Sequence, residues 1–306
     1  MKDKSTLSLS QLRPCLEGRA AILDAVRAFF RSRGFLEVDT PVRVSAPAPE
    51  SHIDAIPAAG AFLRTSPELE MKRLLAAGYP RIFQLGPCFR AGERGRIHRE
   101  EFTMLEWYQA DADYRTLIPF TRDLLIHAAG AVGASGKTAV DRLGLAMPWM
   151  EISVREAFAK FANRPPEEAL QAGCYEETLV DEVEPRLPRD VPVVLLDYPA
   201  DLAAFARLRV DDPTLAERWE VYVGGVELAN AYSELTDPAE YRRRFAKFAE
   251  NRRARGCEGY PEARSFLAAM ADGMPASAGC ALGLDRLVML LLGAASLDEV
   301  AFPAEG

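Results

Sequence analysis

Residues 89–108 bring positive charge, aromatic rings and a carboxylate into one short stretch of the chain. A strand that begins at Glu101 would turn alternate side chains toward a single face. That face carries Phe102, Met104, Glu106 and Tyr108. Such a mixture suits a cleft that stacks a flat ring and pairs a cationic group with Glu106. The pattern is also typical of an aromatic edge strand with a solvated Glu106, and the sequence leaves both interpretations open.

The loop before this strand is rich in cations, namely Arg90, Arg94, Arg96, His98 and Arg99. A guanidinium group is planar and permanently charged, and it can bind two phosphate oxygens at once. The loop therefore fits a phosphate-binding site. A solvated basic hairpin loop would have the same composition, so this alternative also stays open.

Two acidic residues, Glu227 and Glu234, flank the amide Asn230. Magnesium prefers carboxylate oxygens together with substrate phosphates, so the pair is a candidate metal site. The odd spacing sends the two carboxylates to opposite faces of a regular strand. Their convergence would require a bulge or a turn between them.

Residues 279–293 are predicted to form a glycine-rich turn that leads into an apolar helix. The glycines would let a ligand approach the backbone closely, and Arg286 follows in the first turn of the helix. Residues 131–138 nearly match the GxxxxGK[ST] phosphate loop, but Ala131 replaces its first glycine. Because the preceding segment reads as a helix rather than a strand, we predict a helix end with a solvated Lys137 instead.

The remaining elements must position these groups. We predict a helix that ends at Gly34, and a second helix that begins at Ser66-Pro67-Glu68 and ends at Gly78. Predicted strands span residues 81–85, with a break at Gly86-Pro87, and residues 101–109, 193–196 and 219–223. Asp237-Pro238 begins a long helix whose basic residues 242–255 form either a solvated face or a docking surface for an acidic partner. The irregular order of helices and strands favours an α+β fold.

Composition narrows the class of protein. The chain has 306 residues, of which 49% are hydrophobic and 27% charged, and this length allows one large domain or two small ones. A net charge of −8 disfavours general nucleic-acid binding. Five scattered cysteines indicate reduced thiols, and Met1–Lys4 do not lead into a signal peptide. The apolar stretch 287–295 is too short to span a membrane, so we expect a cytoplasmic protein without membrane association.

Taken together, these segments resemble the signature motifs of class II aminoacyl-tRNA synthetases, specifically the lysyl branch. Residues 19–41 are similar to motif 1, and Phe89-Arg90 together with residues 101–106 are similar to motif 2. Gly283-Leu284-Asp285-Arg286 resemble motif 3, and residues 225–238 resemble the lysyl-specific signature. The motifs occur in order and cover nearly the whole chain. The resemblance implies a single catalytic domain over 1–306, built on an antiparallel sheet flanked by helices, and a homodimer through motif 1.

The segment before motif 1 leaves no room for the N-terminal anticodon-binding OB domain of lysyl-tRNA synthetases. In this respect the chain resembles the shortened paralogues that attach (R)-β-lysine to a lysine of translation elongation factor P, which makes tRNA an unlikely substrate. Ala281, in place of the glycine of lysyl-tRNA synthetases, points the same way. Two alternatives stay open. One is a stand-alone synthetase-like or small-molecule ligase, and the other is a non-catalytic paralogue that binds an amino acid and regulates a partner.

The resemblance also implies roles for individual residues, with ATP as co-substrate and Mg²⁺ as the metal. Arg90 and Arg286 would clamp the phosphates, and Phe102 and Arg286 would sandwich the adenine. The nucleotide side would include Gly92, Glu93, His98, Arg99, Glu227, Leu228 and Gly283. The lysine or β-lysine side would include Ser66, Pro67, Glu68, Glu106, Tyr108, Asn230, Glu234 and Ala281, and magnesium would be bound by Glu227 and Glu234.

Two short segments depart from the family pattern on the nucleotide side. The usual Arg-x-Glu is Arg90-Ala91-Gly92 here, and the acid is displaced to Glu93. The usual His-Asn-Pro-Glu-Phe is His98-Arg99-Glu100-Glu101-Phe102.

Overall fold

The computed structural model describes residues 9–50 and 53–302, so Met1–Lys4, with their predicted lack of a signal peptide, lie outside it. The helices are α1 (Leu9–Ser32), α2 (Glu68–Ala76), α3 (Leu117–Gly130), α4 (Gly133–Arg142), α5 (Val154–Phe161), α6 (Pro166–Gln171), α7 (Tyr175–Thr178), α8 (Pro238–Ala254), α9 (Arg264–Asp272) and α10 (Leu284–Leu292). The strands are β1 (Leu36–Glu37), β2 (Arg43–Val44), β3 (Pro57–Ala58), β4 (Ala61–Leu63), β5 (Arg81–Phe89), β6 (Glu101–Ala110), β7 (Met150–Ser153), β8 (Val193–Pro199), β9 (Leu215–Val223), β10 (Val226–Ser233) and β11 (Ser277–Gly283).

Eight strands form one sheet in the order β1-β5-β6-β11-β10-β9-β8-β7, and β2-β4-β3 form a small second sheet. Only the outer pairs β1–β5 and β7–β8 of the large sheet are parallel, while its inner pairs are antiparallel. The α+β prediction, with a mainly antiparallel sheet flanked by helices, is confirmed.

The two faces of the large sheet have different roles. One face packs against α1, α3 and α10, where Phe29, Phe30, Leu105 and Trp107 are fully buried. Alternation along β6 turns its other set of side chains to the opposite face, beside α2, α8 and α9. The candidate chemistry of β6 therefore lies on the face that the main core leaves free.

The predicted interruption of β5 at Gly86-Pro87 is wrong, because β5 runs unbroken from Arg81 to Phe89. Proline lacks an N–H group, but β1 covers only Ile82 and Phe83, so the strand edge at Pro87 needs no backbone donor. Pro87 O accepts a hydrogen bond from the buried Arg64 Nε at 2.9 Å. A Cβ on Gly86 would lie 2.5 Å from Arg64 Nη2, so glycine permits this guanidinium to lie against the strand.

The glycine-rich turn predicted from residue 279 is also wrong in its first part. Residues 277–283 form β11, a central strand between β6 and β10, and only then does α10 begin. Sequence periodicity could not show this, because small residues carry little alternation of hydrophobicity.

Three other predictions about elements agree with the structure. The near-miss phosphate loop at 131–138 follows the end of α3 rather than a strand, and Lys137 is exposed, although residues 133–138 form the first turns of α4. The five cysteines are free thiols. None of the helices described here is long and apolar enough to cross a membrane.

The basic residues of α8 divide into two groups. Arg244 and Arg252 are buried, and they bind Glu240 and Asp54 together with backbone carbonyl groups. Arg243 and Lys247 are exposed but pair with Glu240 and Asp201. Much of the basic segment thus supports the local fold, while Arg242, Arg253 and Arg255 remain exposed on its surface.

Candidate active site

A cavity of about 350 Å³ lies on the free face of β6 and reaches the start of α2 and strands β10 and β11. Most of the predicted substrate-side residues line it, namely Ser66, Glu68, Glu106, Tyr108, Asn230, Glu234 and Ala281, together with Arg90 from the predicted phosphate side. Glu106 and Ala281, 175 positions apart in the chain, thus share one wall, because β6, β11 and β10 are neighbours in the sheet. Ala281 is paired with both Glu106 and Asn230.

Glu106 is only 2% exposed and lies on a central strand, so the alternative of a solvated edge residue is wrong. Both of its oxygens accept hydrogen bonds, from Tyr108 Oη at 2.5 Å and Ser66 Oγ at 2.8 Å. Ser66 Oγ in turn accepts from the Glu68 amide at 3.0 Å, at the start of α2. Burial raises the pKa of Glu106 to about 7, and repulsion from Glu68 adds to this shift.

A second buried network lies behind the same wall. Lys72 Nζ is 2.5 Å from Glu68 Oε1 and 2.6 Å from Glu234 Oε2, and its side chain is completely buried. Tyr232 Oη donates to Glu68 Oε1 at 2.6 Å. Burial raises the pKa of Glu234 to about 8 against the opposing attraction of Lys72. Burial alone would lower the pKa of Lys72, but the attraction of Glu234 and Glu68 outweighs it, so Lys72 is the cation of this network.

Gly279 forms part of the floor of the cavity. A Cβ atom there would lie 2.3 Å from the Tyr108 ring and 2.5 Å from Glu234 Oε1. Glycine is therefore required for the close approach of the two groups, whatever the backbone conformation.

Gly279→Ala is expected to displace Tyr108 and Glu234 and to raise the KM for the amino acid by at least about tenfold, since misplaced polar contacts to a charged group cost about 1.5–3 kcal/mol. Amino-acid-dependent exchange between pyrophosphate and ATP measures this effect. Gly259→Ala is the matched control, since a Cβ at that position meets nothing closer than 3.9 Å. Unchanged kinetics in a folded Gly279→Ala protein would contradict the assignment of the cavity floor.

A second cavity of about 390 Å³ contains His98, Glu227 and Arg286 and shares Arg218 with the first. Arg286 Nη1 donates to the Glu227 carbonyl at 2.7 Å, and its Nη2 lies 2.8 Å from His98 Nε2. Burial and the charge of Arg286 lower the pKa of His98. A neutral imidazole can accept a hydrogen bond from the guanidinium group. His98, Glu227 and Arg286, all predicted on the nucleotide side, therefore form one hydrogen-bonded group.

Arg90 directly follows the last residue of β5, and its side chain lines the first cavity. Its guanidinium carbon lies 5.1 Å from the centre of the Phe102 ring, and Nη1 is 3.7 Å from Glu93 Oε1. Arg90 Nε is buried and has no hydrogen-bond acceptor among the described residues. This cation is thus held in place loosely and retains donors for a bound anion.

The structure does not bring Glu227 and Glu234 together, so the predicted metal pair requires correction. Glu227 pairs with Arg286 at 3.2 Å beside the second cavity, whereas Glu234 pairs with Lys72 in the first. A bulge does occur in β10, between Glu227 and Ala229, but it does not unite the two acids. The carboxylate that does approach Glu227 is Glu220: burial raises its pKa, and Glu227 adds to this effect. No group of three potential ligands is arranged for a metal within residues 9–50 and 53–302.

Comparison with known proteins agrees with this geometry. The family model for class II tRNA synthetases of the D, K and N types matches residues 5–306. The chain belongs to this class II synthetase family. Elongation factor P–(R)-β-lysine ligases from Salmonella gallinarum, Salmonella paratyphi A and Salmonella dublin are each 38% identical to it. Each match covers 100% of this chain and 99% of the relative.

The class II motifs are tied together by one buried acid. Asp285, beside Arg286 in motif 3, accepts from Arg19 Nη1 of the motif 1 helix at 2.5 Å and from the Thr103 amide of β6 at 2.7 Å. Arg19 Nη2 also donates to Thr103 Oγ1 at 2.8 Å. These contacts hold the start of α10 against β6, so Arg286 and Phe102 are positioned by the same network.

Several residues that the class II resemblance places at the ligands do not line either of these two cavities. Arg99 binds Asp298 at 2.9 Å and the Phe302 carbonyl at 2.9 Å, so it lines neither of the two cavities. Leu228 is a core residue, because its neighbours across the sheet surround it on that face. Five other predicted residues also do not line either cavity, namely Pro67, Gly92, Glu93, Phe102 and Gly283. Sandwiching of adenine by Phe102 and Arg286 stays a prediction.

Sequence reasoning missed three residues of the site. Lys72 follows Glu68 by four positions on α2, and this ion-pair spacing was a usable signal. Arg218 and Glu220 lie on β9, whose pairing with β10 brings them beside Asn230 and Glu227. No local pattern identifies them, since only the sheet makes them neighbours.

Proposed function

We propose that this class II protein activates (R)-β-lysine with ATP and transfers it to a lysine side chain of translation elongation factor P. The observation that carries the proposal is a cavity with three buried carboxylates, Glu68, Glu106 and Glu234, next to the free donors of Arg90. Buried acids suit a substrate with two ammonium groups, and a nearby arginine suits a carboxylate that reacts with a phosphate. The relatives that match over the whole chain bear the same activity in their names.

In the first proposed step, a substrate carboxylate oxygen attacks the α-phosphorus of ATP, and the bond to the bridging oxygen breaks. The products are an acyl-adenylate and pyrophosphate. Arg90 stabilises the negative charge on the α-phosphate, and Arg286, held by Glu227 and His98, binds the nucleotide. In the second step, the acceptor amine attacks the acyl carbon, AMP leaves and the amine loses a proton. An amide bond results.

Magnesium is part of this proposal. Mg²⁺ keeps several waters and binds one or two protein carboxylates together with substrate phosphates, so two acids suffice. Glu220 and Glu227 are the acids proposed for this role, since both line the second cavity. Each is also paired with an arginine, Arg218 at 2.6 Å and Arg286 at 3.2 Å, so the ion would share these carboxylates with the two guanidinium groups. The bound ion would neutralise phosphate charge.

The choice of (R)-β-lysine over α-lysine is assigned to Ala281. Its position on β11, opposite Glu106 and Asn230, puts a methyl group on the wall of the cavity. A single methyl group in a pocket discriminates by about 1–3 kcal/mol, enough to favour one positional isomer. A stand-alone lysyl-tRNA synthetase core is the remaining catalytic alternative.

The function is tested by the intact mass of elongation factor P after incubation with this protein, ATP and magnesium. Parallel reactions contain (R)-β-lysine, α-lysine or no amino acid, and tRNA serves as a separate acceptor. A gain of one lysyl group on the protein, greatest with β-lysine, is the expected result. Charging of tRNA without protein modification would instead identify a synthetase core. Heat stabilisation by amino acid without any ATP turnover would identify a regulatory paralogue.

We also propose that the reaction takes place in the cytoplasm, in agreement with the five free thiols.

We propose further that the protein forms a homodimer through α1 and β1. Leu36 of β1 is half exposed at the edge of the large sheet, beside α1. Light scattering of the purified chain gives its mass in solution. A monomer at micromolar concentration would contradict the dimer and leave the catalytic proposal untouched.

The exposed basic residues of α8 lead to a prediction about the acceptor protein. Arg242→Glu with Arg253→Glu should lower the rate of elongation factor P modification about tenfold or more at low salt, because charge steering accelerates protein encounter. Adenylate formation, followed by pyrophosphate release, should stay unchanged. Arg122→Glu, at a partly exposed site on α3, is the control. Equal loss of both activities, or of neither, would contradict a docking role.

A further inference from the structure

We infer that Lys72 is a positioning and specificity residue, which sets the charge and arrangement of the amino-acid cavity for a substrate with two ammonium groups. The inference rests on the proposed function, and it concerns a side chain that does not itself line the cavity. Lys72 is completely buried behind the wall formed by Glu68 and Glu234.

The first argument is a balance of charge. When all three are ionised, the buried acids Glu68, Glu106 and Glu234 carry three negative charges. Because burial raises the pKa of Glu106 and Glu234, a bound cation is what favours this fully charged state. One ammonium group behind them leaves a balance of two negative charges. That number equals the positive charge of the two ammonium groups of a diamino acid, whose own carboxylate is left for Arg90 and the phosphate. Unbalanced buried charge is costly, so the count matters for which ligand can enter.

The second argument is geometric. Lys72 Nζ bridges Glu68 Oε1 at 2.5 Å and Glu234 Oε2 at 2.6 Å, so a single cation determines where two acids stand. The Glu234 Oε1 atom is buried and has no partner in the described part of the chain. This oxygen is therefore a fixed hydrogen-bond acceptor that a bound ligand can use.

The surroundings of Lys72 keep it in place. The rings of Phe205, Tyr232 and Tyr241 lie with their centres 5.2, 5.2 and 5.8 Å from Nζ. At these distances the aromatic rings attract the ammonium group and favour its charged form. Glu50, Glu106 and Tyr108 also interact electrostatically with Glu68, and Glu106 and Tyr108 do so with Glu234. Of the lysines in the described residues, Lys72 alone is fully buried.

The test is the substitution Lys72→Met, which keeps the length of the side chain and removes its charge. Without the bridging cation, Glu68 and Glu234 repel each other and leave their positions. We expect the KM for (R)-β-lysine in pyrophosphate exchange to rise at least tenfold, with kcat changed less than threefold and the KM for ATP unchanged. Lys160→Met, the same change at an exposed site on α5, is the matched control.

A compensating variant separates charge balance from general damage. Lys72→Met combined with Glu234→Gln restores the balance of two negative charges, so its KM should be at least threefold lower than that of Lys72→Met alone. Glu234→Gln by itself should raise the KM of the wild-type protein. A rescue of this kind is not expected if Lys72 only fills space.

Each outcome decides the inference. A wild-type KM in folded Lys72→Met protein overturns it, and so does a folded double variant no better than the single one. If Lys72→Met does not fold, the double variant carries the test, since the inference requires it to fold and to bind (R)-β-lysine within about tenfold of wild type. Absence of exchange with (R)-β-lysine in the wild-type protein would instead refute the proposed function, before any variant is made.

Discussion

Arg90→Ala should lower (R)-β-lysine-dependent release of pyrophosphate about 10³-fold, which is the largest effect expected for a single substitution here. Removal of one preorganised donor from developing charge costs about 10²–10³-fold in rate, and a full guanidinium cation supplies more than one donor. The fold should survive, because the Arg90 side chain is held among the described residues by one long ion pair, with Glu93 at 3.7 Å, and by its position over the Phe102 ring. Quantified pyrophosphate release and thermal unfolding of the same preparation provide the measurement.

Arg94→Ala is the matched control for this experiment. Arg94 lies in the same loop, but it is exposed and its guanidinium is bound to Glu100 at 2.6 Å. Its loss should leave the rate within about twofold of wild type, as is usual for an exposed ion pair. Near-normal activity of Arg90→Ala would refute both the role of Arg90 and the two-step mechanism built on it.

Glu106→Gln should lower kcat/KM for (R)-β-lysine about 10²- to 10³-fold at pH 8, because one partner of a buried charge pair with the substrate is lost. Glutamine keeps the shape of the glutamate side chain and can still contact Ser66, so the loss of activity measures the contribution of the negative charge. Glu101→Gln is the control on the same strand, at an exposed position. A loss below about threefold would show that the distal ammonium group is bound elsewhere.

The effect of Glu106→Gln should depend on pH in a defined direction. The pKa of Glu106 is raised to about 7, from an ordinary value of 4.5, so its proton is lost in the folded protein only near neutrality. The folded state therefore holds an extra proton between about pH 4.5 and 7, and its contribution to stability falls as pH rises through that window. Glu106→Gln lacks this loss, so its unfolding free energy relative to wild type should increase from pH 5 to pH 8. A constant difference measured by urea unfolding across this range would contradict the pKa assignment.

Much of the site follows from local sequence alone. Alternation along residues 101–109 places Glu106 and Tyr108 together on one face, and β6 extends this prediction by a single residue at Ala110. Strand geometry makes that inference safe, because side chains alternate whatever surrounds them. The start of α2 and the N-cap of α8 at Asp237 are equally local, since both depend on side chains within a few residues of the helix end.

The tertiary structure decided how distant segments meet. The strand β11 is hard to recognise as a strand because its small residues lack periodicity, and it becomes central only through pairing with β6 and β10. That pairing brings Ala281 beside Glu106 and sends Glu227 and Glu234 to different cavities, although the two are seven residues apart. The contact between Lys72 on α2 and Glu234, which follows β10, likewise exists only in the folded protein.

The sequence by itself determined which chemical groups the protein carries and which of them share a strand or a helix face, because those relations depend on backbone geometry over a few residues. Only the tertiary structure decided which acids lie next to which cations. Those contacts arise from burial against strands far away in the chain, and burial also sets their pKa values. The charge of the amino-acid cavity is therefore a property of the folded sheet, with Lys72 behind it, and not of any motif.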